Sequence, residues 1–88
     1  MSNSMNRFNY DEKFDILYYL FSNTNNSYGD EICDRVVLLR DLDTFNVTGI
    51  AVLDFMKHSI HDEYIVNIMS SYIDIQDVLS KININGGK

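Results

Sequence analysis

The sequence predicts an all-α fold: a compact bundle of four to five short helices around a central apolar helix. Three observations lead there. Residues 45–56 carry Phe45, Val47, Ile50, Ala51, Val52, Leu53, Phe55 and Met56, which at helical pitch circle the whole axis and need cover on every side. The segment is too short to cross a bilayer, so protein must cover it. Proline is absent and glycine occurs only four times, which leaves few chain breakers. Finally, Phe14, Leu17, Tyr18 and Phe21 recur at i, i+3, i+4 and i+7, and Tyr64, Ile65, Ile68, Met69 and Tyr72 line a second helical face.

Taken in order, residues 1–8 are polar and expected to fray. Asn9 followed by Glu12 resembles a capping box, with Asp11 and Glu12 in the first turn of a helix reaching Phe21. A polar loop over 22–27 ends it. Asp30 and Glu31 open a second segment, in which Ile32, Val36 and Leu39 share a helical face. The β-branched Val36 and Val37 leave an alternative open, an α+β fold with a hairpin at residues 32–55. In it a strand over 35–40 pairs with 47–55 across a turn at 41–46. Ser59, with Asp62 three residues on, reads as the cap of the next helix, and Asp74 as the cap of a last one bearing Ile75, Val78, Leu79 and Ile82. Residues 84–88 form a second frayed end. The whole of 1–88 reads as a single domain.

Charge narrows the function. Thirteen acids against seven dispersed bases give a formal charge of −6. That balance argues against direct nucleic-acid binding, because phosphate contacts need Lys and Arg to release counterions. A single cysteine, Cys33, excludes an internal disulfide and fits a reducing, cytoplasmic setting; no apolar leader is visible and no membrane association is expected.

No catalytic, cofactor or metal constellation stands out. His58 and His61, followed by Asp62 and Glu63, lack the third and fourth ligands a zinc site needs and read as solvent-exposed. Asp41-Leu42-Asp43 begins like a calcium loop but has no glycine or glutamate at the required spacing. Cys33 beside Ile32 reads as a small core residue. No cofactor is implied, and an enzyme is not expected. Gly49 through Asp54 followed by Glu63 through Met69 resembles one repeat of the ankyrin family, which would imply a helical solenoid. Ala51, Val52 and Asp54 replace that family's Thr, Pro and His, however, and no second copy lies 33 residues away. No family assignment follows.

What remains is a surface of acids and tyrosines. Tyr10 beside Asp11 and Glu12, Tyr28 near Asp30 and Glu31, and Tyr64 beside Asp62 and Glu63 combine amphipathic rings with carboxylates. Acids in helical first turns also have a purely structural use, since the helix dipole stabilises each by about 0.3–1 kcal/mol. The functional expectation is a small acidic protein–protein interaction domain with a basic protein partner, working as a stoichiometric inhibitor of the immunity-protein, antitoxin or viral kind. A DNA mimic and a self-assembling structural subunit, in its simplest form a homodimer, are the alternatives.

Overall fold

The computed structural model describes residues 7–22 and 26–86, and it replaces the helical bundle with a sheet. Five antiparallel strands, β1 (Arg7–Asp11), β2 (Ile16–Leu20), β3 (Ser27–Cys33), β4 (Val36–Asp41) and β5 (Val47–Val52), lie in the order β1-β2-β5-β4-β3. A 3-10 turn (Ser59–His61) and two helices, α1 (Glu63–Ser70) and α2 (Ile75–Gly86), follow. The all-α reading fails up to residue 52: residues 9–21 form β1 and β2 rather than a helix, and the segment opened by Asp30 and Glu31, with Ile32, Val36 and Leu39, forms parts of β3 and β4. The segment expected as the central helix is instead the central strand, β5, and the loop after it. Its apolar side chains do need cover on opposite sides, but as the two faces of a strand. Periodicity does not separate a buried strand from a buried helix over so short a run, and the β-branched Val47, Thr48, Ile50 and Val52 decide for the strand. The pairing weighed second, across 41–46, is present as β4 against β5, closed by the Asp41 N–H donating to the Asn46 carbonyl at 2.9 Å.

The frayed ends expected at 1–8 and 84–88 fall partly outside the described residues, as do 23–25 of the expected polar loop. Arg7 and Phe8 belong to β1, and α2 runs to Gly86.

The core forms between one face of the sheet, here the inner face, and the helices. Leu17, Val36, Leu38, Ile50 and Val52 are buried there against Phe55, Ile65, Met69, Ile73 and Val78. The helices start as polar chemistry requires. Asp62, not Ser59, caps α1, its carboxylate accepting from the N–H groups of Tyr64 and Ile65 at 3.0 and 3.3 Å. Ser59 is buried and donates its hydroxyl to the Leu53 carbonyl at 2.7 Å. Asp74 accepts from the Asp77 N–H at the start of α2. Lys81 of α2 pairs with Asp77 and lies over the Phe8 ring, tying that helix to β1.

The turns explain why so few glycines suffice. Asp15, Arg35, Phe45 and Asp54 have φ of 58°, 74°, 67° and 49°, the left-handed region that glycine usually fills. Three of the four are held by their own side chains. Asp15 is 5 % exposed, and its carboxylate accepts from the Tyr10 hydroxyl at 2.5 Å and the Met56 and Lys57 N–H groups at 2.9 Å each. Arg35 donates to the Asp54 carboxylate at 3.1 Å, so two left-handed residues clamp one another. Phe45 is bulky and 61 % exposed, and its ring has no polar atom to form such a tether.

Candidate functional site

Strand register assigns each side chain to a face, because residues directly opposite in an antiparallel pair point the same way. On the side away from the helices lie Ile16, Tyr18 and Leu20 of β2, Gly49 and Ala51 of β5, and Val37 and Leu39 of β4. None of them belongs to the core cluster. Tyr18 is 39 % exposed, and Leu53, just past β5, is 38 % exposed. The described residues place no helix over this face. It is an open apolar sheet surface with no charged group on its three central strands until Asp41 at the end of β4.

The relief of this face follows from its glycines. Leu20 and Leu39 both lie opposite Gly49, and Tyr18 and Val37 both lie opposite Ala51. Large residues on β2 and β4 therefore form two ridges beside a valley along β5. Gly49 is required in the valley: a Cβ there would stand 2.7 Å from the Tyr19 carbonyl oxygen and 3.0 Å from Leu20 Cδ2. At the β1 edge, a hollow of about 270 Å³ opens between Arg7, Phe8, Asn9, Tyr18 and Leu20.

The acid–tyrosine residues singled out from the sequence do not share one surface. Tyr10 points to the helix side, half-buried, and its ring packs against Phe55 at 6.1 Å. Burial, then the hydrogen bond to Asp15, raises its phenol pKa well above the ordinary range. For Asp15 burial alone would act upward, but the Tyr10 bond, the two backbone N–H groups and nearby Lys57 hold the carboxyl below its ordinary value. Asp11 caps its own turn through the Phe14 N–H, and Glu12 is exposed in that turn. Tyr28 and Asp30 lie on the inner side of edge strand β3, where Asp30 accepts from Arg40 at 2.9 Å, while Glu31 points to the open face. Asp62 is engaged as a cap, and Glu63 and Tyr64 are exposed at the start of α1, Tyr64 by 66 %.

Cys33 lies opposite Val36 on the inner side and packs partly against the core. Burial first, then Asp34, Asp62 and Glu31, pushes its thiol pKa up, the opposite of what a nucleophile needs. His58 approaches Asp62 at 3.4 Å, and among the described residues no three His, Cys, Asp or Glu gather as metal ligands. A furrow of about 950 Å³ runs along α1 between Tyr19, Phe21, Val66 and Leu79. Its lining also carries His61 and Asp74, which precede and follow α1 in the chain. Among the described residues no helix is long and apolar enough to cross a membrane.

The open-face residues were missed at the sequence level, yet they left a signal. Ile16 through Leu20 and Val36 through Leu39 are apolar at both parities, the pattern of strands covered on both faces. No protein family, curated protein or solved structure matches the chain.

Proposed function

We propose that the chain is a non-catalytic protein-binding domain that docks the open face of its sheet on another polypeptide. One observation carries this reading. An antiparallel sheet with one face in water ordinarily alternates apolar-in and polar-out, whereas β2, β5 and β4 present Ile16, Tyr18, Leu20, Ala51, Val37 and Leu39 outward. A contiguous apolar patch of this kind marks an interaction site. Tyr18, on the β2 ridge, has the amphipathic ring that anchors such contacts.

The acidic balance supports the finer reading, a stoichiometric inhibitor of a basic protein. Exposed Glu12, Glu31, Asp34 and Glu63 contribute to a negative field that speeds encounter with a basic partner and disfavours acidic ones. The mechanism is occlusion, with apolar contact at the centre and charge selection around it. Immobilised protein and its Tyr18→Lys variant, offered the same nuclease-treated host lysate, test the reading. A protein retained at equal stoichiometry by the parent and lost by the variant is the expected result. Identical recoveries would remove the open face from function.

A further inference from the structure

We propose that the occupant of the open face is a second copy of this chain, the two sheets packing face to face about a two-fold axis. The inference rests on the docking reading above only in taking the open face as an interface, and it puts a second copy there in place of a basic protein.

Relief, charge and area each bear on it. A two-fold interface uses the same patch on both copies, so the patch must complement itself. The ridges of β2 and β4 beside the β5 valley meet that demand: a ridge of one copy falls into the valley of the other, and the reverse follows by symmetry. The valley floor is Gly49 and Ala51, and the ridges carry Tyr18, Leu20, Val37 and Leu39. Strands about 4.8 Å apart place the two ridges about 10 Å from each other, and packed sheets also stand about 10 Å apart.

The charges on the face leave little for a charged partner to find. The outward positions of β2 and β5 are uncharged, and the charged groups sit at the margins as Arg7, Asp11, Glu31 and Asp41. Asp11 and Asp41 already accept backbone N–H bonds in their own turns, at 3.1 and 2.7 Å for the shortest of each. An uncharged apolar surface is the fitting complement, and this face is itself one. The chain's charge of −6 acts on the pair mainly at long range, where salt screens it.

Five strands span about 24 Å, and five to six paired residues extend about 18 Å, a projected area of about 430 Å² per copy. Leu53, just past β5 and 38 % exposed, adds apolar surface near one end. The pair therefore buries on the order of 1,000 Å², near the lower bound for a specific interface. An interface of this size fits a reversible dimer rather than a permanent one.

Analytical ultracentrifugation of the full chain across the micromolar range, at low and high salt, tests this. The expected result is a monomer–dimer equilibrium that holds or tightens as salt rises. Tyr18→Lys should weaken it at least about tenfold, whereas Asn67→Lys, the same charge change on the exposed side of α1, should leave it unaltered. Circular dichroism establishes that each variant is folded, and Leu39→Gln replaces Tyr18→Lys if that one is not. A monomer at every concentration overturns the second copy as occupant, and the lysate comparison then shows whether the face serves another protein. A dimer indifferent to both face substitutions overturns the face-to-face arrangement.

Discussion

Replacing Asp15 with Asn tests the most consequential polar contact in the fold. Asn keeps the shape of the side chain and tolerates the left-handed φ of 58°. It accepts through one atom only. With its oxygen on the Tyr10 hydroxyl and the Met56 N–H, its NH₂ group faces the Lys57 N–H, donor against donor. Bonds to an ionised acceptor contribute about 1.5–3 kcal/mol each and neutral ones about 0.5–1.5, while an unmatched buried donor costs about 1–3. The substitution should therefore cost about 3 kcal/mol, a large part of the roughly 4–13 kcal/mol expected for a domain of this size. The chain has no tryptophan, so urea unfolding is followed by far-UV circular dichroism or tyrosine fluorescence. The midpoint should drop by roughly 2 M with the slope unchanged.

The same contact fixes a pH dependence. The folded Asp15 carboxyl lies below its ordinary value, so its stabilisation is fully present above the unfolded pKa of about 4 and is lost as pH falls through the lower folded one. Asp15→Asn should flatten that part of the acid limb. Tyr10→Phe should cost less in the Asp15→Asn background than in the parent, because the two share one bond. A loss under about 1 kcal/mol for Asp15→Asn, or an unchanged acid limb, would refute the reasoning.

Three further outcomes follow from other sites. The Tyr10 phenol is held neutral by burial and by Asp15, so stability should fall as pH rises above the ordinary phenol value of about 10, and spectrophotometric titration should show one tyrosine ionising later than the exposed ones. Gly49→Ala should destabilise by about 1–3 kcal/mol, because the new Cβ meets the Tyr19 carbonyl oxygen, which belongs to the paired backbone and has no room to yield. Phe45→Asn should stabilise by about 0.5–1 kcal/mol, since φ is 67° and the ring is 61 % exposed; a loss in the denaturation midpoint would mean that the ring makes a contact worth more than the strain.

The two C-terminal helices were legible in the sequence, although the central segment before them was not. Tyr64, Ile65, Ile68 and Met69 have helical spacing, an acid precedes them, and they form α1. The first half was not, for two physical reasons. Residues 14–21 satisfy a helical template only because nearly all of them are apolar: Leu17 and Tyr19 face the core while Ile16, Tyr18 and Leu20 face away, and with both parities filled no period of two survives. The scarcity of glycine and proline then argued against turns, whereas the turns here bend at Asp15, Arg35 and Phe45, residues that carry no turn signal strong enough to override the pattern. Asp74 was visible as a cap while the cap of α1 fell to Asp62 rather than Ser59, and whether a set of acids and tyrosines shares a surface depends on strand register, which is nonlocal information.

The strand order has a consequence for how the chain is assembled. β3, β4 and β5 follow one another as a meander, and β1 with β2 is a hairpin, so all but one of the sheet's pairings join consecutive strands. The exception is β2 against β5, where Leu17 meets Val52 and Leu20 meets Gly49. During synthesis the residues of the first hairpin are made well before those of its neighbour β5. Closing that seam brings together distant parts of the chain and carries the largest loop-closure entropy in the sheet. The Asp15 carboxylate, bonded to Met56 and Lys57 across 41 and 42 residues, fastens the end of the same seam. One aspartate thus fastens the seam at which the two sequence-distant parts of the sheet meet.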